Sequence, residues 1–234
     1  PVSTCAGCTC YGGGANEELI ATALHPYPAD LVIATKVGAA PGPTIDGRPE
    51  VLRAQVHRAL RSLRVERIEL VQLHRVDPHV PLAEQVGTLR ELRDEGTVGR
   101  VGLSEVDVAQ LAEARGIVPV ASVQNRYNLL DREHEPVLEA CAGAGIAFLP
   151  WRPVAAGGTG QEAEVAAVAA ECGATPTQVA LAWLLARAPV VLPIPGTTRI
   201  AHLEENLAAG AVRLTPEQYA RLDRLGSSGA DRRR

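Results

Sequence analysis

The chain has 234 residues, 46% of them hydrophobic, and a formal net charge of -4. This is the composition of an ordinary globular protein, and the length fits one large α/β domain. The mild acidity argues against nucleic acid as the main partner, because a phosphate backbone needs a basic face. The sequence contains no apolar stretch of about 18 residues and no signal-peptide pattern, so we expect a cytoplasmic protein with no membrane partner. The oligomeric state stays open.

The first ten residues form an aberrant leader. Cys5, Cys8 and Cys10 lie close together, but no second pair of ligands follows, so we expect free thiols and no metal site. The run is also a poor candidate for a strand. Because the chain begins with Pro and contains no Met, we expect that a preceding segment is missing.

Short apolar runs, rich in β-branched residues, alternate with amphipathic helical patterns along the rest of the chain. The runs are nearly continuous, as expected for strands buried on both faces. Strands that alternate with helices predict βα units and a parallel sheet. The six predicted strands are 31–36, 68–74, 101–104, 118–124, 146–151 and 190–194.

Two folds fit this alternation, an open doubly wound sheet and a (β/α)8 barrel. The glycine run 12–14 has the wrong spacing for a dinucleotide fingerprint and no strand before it, which disfavours the open sheet. Four polar residues end predicted strands, where a barrel places its active site: Lys36, His74, Ser104 and Gln124. We therefore predict a single (β/α)8 barrel domain over 1–234, incomplete at its N-terminus, with a disordered tail at 226–234.

Three residue types point to carbonyl chemistry. Separately, Tyr11, Lys36 and His74 have ordinary interpretations as a surface tyrosine, a solvent-facing lysine and a core histidine. At the mouth of one barrel they supply a proton donor, an ammonium that makes the phenol more acidic, and an imidazole that holds a carbonyl oxygen. Lys36 is the single lysine among 23 Lys and Arg residues, which suggests a role that arginine cannot take.

Several segments resemble the aldo-keto reductase family, in family order. The segments 10–20, 31–38 and 71–75 resemble its tyrosine loop, lysine strand and histidine strand, and 193–206 resembles its adenosine-phosphate loop and helix. The stretch 23–33 further resembles a bacterial subgroup of pyridoxal reductases, or pyridoxine 4-dehydrogenases.

The resemblance implies NADPH-dependent reduction of an aldehyde or ketone, with a role for each matching residue. Tyr11 would be the general acid, Lys36 would lower its pKa, and His74 would orient the carbonyl. Ser104 and Gln124 would bind the nicotinamide carboxamide, and Trp151 would stack on the ring. The adenosine phosphate would be bound by Gly196, Thr197, Thr198, Arg199, His202, Glu205 and Asn206, at a helix N-terminus that favours an anion.

The sequence also departs from the family. Ala6 stands where the family has an aspartate that pairs with the lysine, and only six strands are recognisable where a closed barrel needs eight. Glu105 replaces a frequent asparagine, and His202 replaces a frequent arginine. These departures keep open a second hypothesis, a catalytically impaired remnant or a regulatory dinucleotide-binding protein. A third is an unrelated barrel lyase or isomerase with Lys36 as a Schiff base.

Overall fold

The computed structural model describes residues 3–6, 14–39, 44–154 and 161–227, with side chains for those between 14 and 226. Tyr11, Cys8 and Cys10 lie outside these ranges, as does the predicted tail from residue 228. The chain divides into two compact units, 1–123 and 124–234.

The first unit is built from βα repeats. Its strands lie side by side in chain order, and the first four are parallel to their neighbours. The strands are β1 (Ser3–Ala6), β2 (Leu31–Val37), β3 (Ile68–Leu73), β4 (Val98–Ser104) and β5 (Val120–Gln124), and the helices are α1 (Ala15–Leu24), α2 (Pro49–Leu63), α3 (Leu82–Asp94) and α4 (Val108–Arg115).

The apolar faces predicted for α2 and α3 are buried. Leu52, Val56 and Leu63 are fully shielded from solvent, as are Val86 and Leu89. Their helical spacing places each set on one stripe, and burial of that stripe is what stabilises an amphipathic helix in a protein. The helices therefore cover the sheet as the sequence predicted.

The second unit is mostly helical. Its helix over Pro176–Arg187 begins with a capping box, in which Thr175 and Gln178 satisfy each other's backbone N–H groups. Its elements are α5 (Glu135–Ala144), β6 (Ala147–Phe148), α6 (Gln161–Cys172), α7 (Pro176–Arg187), α8 (Ile200–Ala208), a short 3-10 helix (Ala209–Ala211) and α9 (Pro216–Ser227).

Four sequence predictions about the elements were wrong. Residues 3–6 do form a strand, β1, because parallel pairing uses backbone groups that small and polar residues also supply. The predicted strand 146–151 shrinks to two residues, and 190–194 is reduced to a bridge between Val191 and Phe148. Proline at 150, 189 and 193 lacks the N–H that a ladder needs. Helix α9 also extends to residue 227, into the predicted tail.

Gly102 in β4 leaves no room for a side chain. A Cβ at this position would lie 2.3 Å from Ser122 Oγ and 2.9 Å from Gln72 Cγ. We expect Gly102→Ala to lower the free energy of unfolding by about 1–3 kcal/mol, because an overpacked core must shift. Urea denaturation measures the change.

Gly87 provides the matched control for this substitution. It lies inside α3, and within the described part of the chain no atom apart from the neighbouring residues and the backbone of the helix itself comes within 4 Å of the point that a Cβ would occupy. Gly87→Ala should therefore raise the free energy of unfolding by about 0.5–1 kcal/mol, because alanine is the better helix former. Equal effects of the two substitutions would contradict the close approach at Gly102.

Candidate active site

Lys36 lies near the carboxyl end of β2, opposite Gln72 of β3 in the parallel register. Its side chain is only 6% exposed. Burial lowers the pKa of the Lys36 ammonium to about 8, and the negative charge of Glu17 opposes that decrease. The ammonium is thus poised to respond to its neighbours near neutral pH.

His74 follows β3 directly, and its backbone N–H donates to the Val37 carbonyl at 2.8 Å. The imidazole is half-buried. Burial lowers its pKa to about 4, and the positive charges of Lys36 and Arg75 contribute to that decrease. His74 is therefore neutral at pH 7, and the structure brings it into the electrostatic field of Lys36.

Ser104 and Gln124 are the last residues of β4 and β5. They are 3% and 4% exposed. The Nε2 group of Gln124 is buried and has no hydrogen-bond acceptor within the described ranges. A buried donor without an acceptor lowers the stability of a protein by about 1–3 kcal/mol. The Gln124 amide is therefore suited to donate a hydrogen bond to an acceptor atom of a bound ligand.

Glu105 adopts a left-handed backbone conformation, with φ of 55°. Its carboxylate forms an ion pair with Arg75 at 2.7 Å. Glu105, which replaces a frequent asparagine of the family, is therefore paired with Arg75, the residue that follows His74. The negative charge of Glu105 partly offsets the positive charge that Arg75 presents to the imidazole.

Trp151 is half-buried. The guanidinium carbons of Arg126 and Arg152 lie 5.9 and 5.7 Å from the centroid of its ring, within the range of cation–π attraction. Its backbone pairs with that of Arg126 in a parallel bridge. Part of the indole thus stays accessible, unlike a ring that serves only core packing.

A cavity of about 450 Å³ lies in the second unit at the N-terminal end of α8. No acidic residue occupies the first turn of α8, and its N-cap residue, Arg199, makes no side-chain capping bond. The first-turn N–H groups are thus left for a ligand. Five predicted cofactor residues line the cavity, Gly196, Thr197, His202, Glu205 and Asn206, whereas Thr198 and Arg199 are exposed residues outside its lining.

Glu205 is held firmly at the wall of this cavity. Thr175 Oγ1 donates to Glu205 Oε1 at 2.5 Å, and Gln178 Nε2 donates to the Glu205 carbonyl at 3.1 Å. The capping residues of α7 therefore fix the wall formed by α8. This preorganisation reduces the entropy that a ligand must overcome.

Sequence reasoning missed Glu17. This carboxylate is 0% exposed, and Thr35 Oγ1 donates to its Oε1 at 2.8 Å. A signal was available, because Glu17 precedes the buried residues Ile20 and Ala21 by one helical turn and so shares their face. An acidic residue in the first turn of a helix is normally solvated, and this hides the signal.

Within the described ranges, no three His, Cys, Asp or Glu side chains converge on a possible metal position. None of the described helices is both long enough and apolar enough to cross a bilayer.

Comparisons with known proteins identify the family and the fold of the chain. The model of the "Aldo/keto reductase family" matches residues 5–227. An uncharacterized oxidoreductase of Schizosaccharomyces pombe is 44% identical over 223 residues, covering 93% of this chain and 72% of that protein. Pyridoxine 4-dehydrogenase of Escherichia coli is 40% identical over 223 residues, covering 91% of this chain and 78% of that enzyme.

A solved structure shares the fold. It is an aldo/keto reductase from Klebsiella pneumoniae in complex with NADP and acetate, with a TM-score of 0.81 and 28% identity over 95% of this chain and 80% of that one. The fold is accordingly the (β/α)8 barrel of this group of proteins, of which the chain represents the larger part.

Proposed function

This chain belongs to the aldo/keto reductase family of NAD(P)H-dependent oxidoreductases, and we propose that it reduces an aldehyde or ketone with NADPH, using Tyr11 as the proton donor. The observation that carries this proposal is a buried ammonium, Lys36, beside a neutral imidazole, His74, at the ends of neighbouring parallel strands. We treat residues 1–234 as one catalytic domain.

Reduction of a carbonyl requires a hydride at carbon and a proton at oxygen. When bound, the reduced nicotinamide supplies the hydride. Tyr11 gives its phenolic proton to the developing alkoxide, and the positive charge of Lys36 stabilises the phenolate that remains. The neutral His74 donates a ring N–H to the carbonyl oxygen and so orients it. At pH 7, Lys36, with a pKa of about 8, is mostly charged, and His74, with a pKa of about 4, is neutral.

The described residues fit a nicotinamide dinucleotide. The orphaned Nε2 group of Gln124 matches the carboxamide oxygen, the Ser104 hydroxyl offers a second partner to that carboxamide, and the accessible face of Trp151 suits a flat ring. The cavity at α8 suits an adenosine phosphate, because helix N-termini bind anions. His202 lines this cavity and Arg199 stands at the N-cap of the helix. Together with Thr198, they favour the 2′-phosphate of NADPH over NADH.

A pyridoxal-like aldehyde is the first substrate to test, because a relative at 40% identity is a pyridoxine 4-dehydrogenase. The purified chain is mixed with NADPH and a panel of aldehydes that includes pyridoxal. We expect loss of the reduced nicotinamide's near-ultraviolet absorbance and formation of the corresponding alcohol. If no aldehyde or ketone is reduced faster than by a Tyr11→Phe variant, the proposal fails.

The pH dependence of reduction follows from the two shifted groups. The lowered pKa of His74, about 4, keeps it neutral at every pH well above that value. The pKa of Lys36, about 8, means that its charge is lost as the pH rises beyond that value. We therefore expect kcat/KM to stay level between about pH 5 and 7 and to fall above about pH 8. An acidic limb near the ordinary histidine pKa of about 6.5 would contradict the neutral His74.

Replacing Gln124 should weaken cofactor binding. Gln124→Leu keeps nearly the size of the side chain and removes the Nε2 donor, so NADP+ should bind about tenfold more weakly, corresponding to loss of one buried hydrogen bond. Isothermal titration calorimetry measures the change. Gln110→Leu is the control, because Gln110 serves the α4 capping box. Equal affinities of the wild type and Gln124→Leu for NADP+ would show that Gln124 does not bind the cofactor.

Ala6 supports a second candidate function, that of a regulatory protein that binds the dinucleotide without turnover. This function predicts heat on titration with NADP+ but no carbonyl reduction until a carboxylate is supplied at position 6. A wild-type chain that reduces an aldehyde at an ordinary enzymatic rate would exclude it.

A further inference from the structure

Glu17 is a buried charge that needs an explanation. An ionised carboxylate costs several kcal/mol to bury unless other groups stabilise it. Thr35 satisfies Oε1, whereas Oε2 is buried and no described residue donates a hydrogen bond to it. A single neutral hydroxyl is poor compensation for a full negative charge, so a positive charge nearby is expected.

Lys36, the residue after Thr35 on β2, carries the positive charge that interacts with Glu17. Thr35 binds Glu17, and successive strand residues point to opposite faces. Glu17 therefore lies on the face of β2 opposite to Lys36, and its charge acts on the ammonium across the strand. Both side chains are at least nine-tenths shielded from solvent, where electrostatic interactions are only weakly screened.

We propose that Glu17 is the positioning residue that holds the Lys36 ammonium in its charged form, in place of the aspartate that the family carries at the position of Ala6. The inference rests on the proposed reductase function. It moves the stabilising carboxylate from β1 to α1, the helix that follows the Tyr11 loop in the sequence.

The groups that act on Lys36 determine the direction in which its pKa should change when Glu17 loses its charge. Burial lowers its pKa, and Glu17 is the opposing charge. His74 also acts on it but is neutral at working pH, and Tyr11 is the predicted proton donor. Removing the charge of Glu17 takes away a charge that opposes the effect of burial, so the pKa of Lys36 falls further and less ammonium remains at neutral pH.

Lys36 can be observed directly, because it is the only lysine of the chain. Incorporating lysine labelled with 13C at Cε gives one side-chain NMR signal whose shift reports protonation. In Glu17→Gln we expect the titration midpoint to fall by about one pH unit or more. The loss of kcat/KM should then grow with pH, from about threefold near pH 7.5 to about eightfold near pH 8.5.

Two controls separate this electrostatic role from a structural one. Glu18→Gln changes the neighbouring exposed glutamate of the same helix and should leave the midpoint unchanged. Ala6→Asp, added to Glu17→Gln, should raise the midpoint again. Position 6 pairs with Ala34 in register, and Ala34 shares the face of β2 that carries Lys36.

An unmoved Lys36 signal in a folded Glu17→Gln protein overturns the assignment. If that variant does not fold, Glu17→Asp replaces it. The shorter side chain places the carboxylate farther from Lys36, so we expect a smaller fall in the titration midpoint of Lys36. An unchanged or higher midpoint contradicts the proposal. A wild-type chain that reduces no carbonyl overturns the reductase function, whereas an unmoved Lys36 signal overturns only the role of Glu17.

Discussion

Lys36→Met is expected to reduce kcat for carbonyl reduction by about 100- to 10,000-fold, the usual value of assisted proton transfer. Methionine fills nearly the same buried volume but carries no charge, so the phenolate left on Tyr11 would lose its stabilising ammonium. Because Lys36 is not among the residues proposed to hold the dinucleotide, the affinity for NADP+ should stay within about threefold of the wild-type value. Stopped-flow absorbance and calorimetry measure the two quantities.

The matched control for Lys36→Met is Arg100→Met. It also removes one positive charge from a strand of the sheet, but at an exposed position where Arg100 lies 3.8 Å from Glu69. Surface pairs of this kind contribute about 0–1 kcal/mol, so kcat should be unchanged. Similar losses in the two variants would show that net charge, and not the buried ammonium, governs the rate.

Tyr11→Phe is expected to lower kcat by a similar factor, about 100- to 10,000-fold. The substitution removes the proton donor and keeps the ring. If hydronium replaces the phenol as the proton source, the residual rate should fall as the pH rises, because the hydronium concentration falls. Single-turnover reduction with NADPH isolates this step from product release.

Tyr27→Phe tests whether loss of any tyrosine hydroxyl has this effect. Tyr27 donates its hydroxyl to the Leu63 carbonyl at 2.8 Å. The variant should lose about 1 kcal/mol of folding free energy and retain its rate. If Tyr11→Phe also keeps the wild-type rate, Tyr11 is not the general acid, and another donor must be sought.

Much of the fold was predictable because strands buried on both faces leave continuous apolar runs. The runs ending at Lys36 and His74 were therefore visible in the sequence. β1 was not, since a strand of Ser, Thr, Cys and Ala lacks an apolar signature. The run 190–194 was misleading because Pro193 within it and Pro189 just before it lack the N–H groups on which a ladder depends.

The candidate site was predictable in its residue types but not in its electrostatics. The sequence identified Glu105 as a departure from the family, whereas its ion pair with Arg75 depends on a turn after β4 that brings the two together. Likewise, the sequence showed that Ala6 lacks a carboxylate. That Glu17 is buried against Thr35 depends on how α1 packs on β2, which local sequence does not determine.

The surroundings of Trp151 have an optical consequence. The chain has two tryptophans, and Trp183 is fully buried, with Arg132 3.9 Å above its ring. Trp151 is the more accessible indole, flanked by two guanidinium groups. We expect Trp183 to emit as a constant blue-shifted background, and Trp151 to emit at longer wavelength and to be quenched when a flat ring covers it. Intrinsic fluorescence of a Trp183→Phe protein would then report occupancy of the nicotinamide position without an added probe.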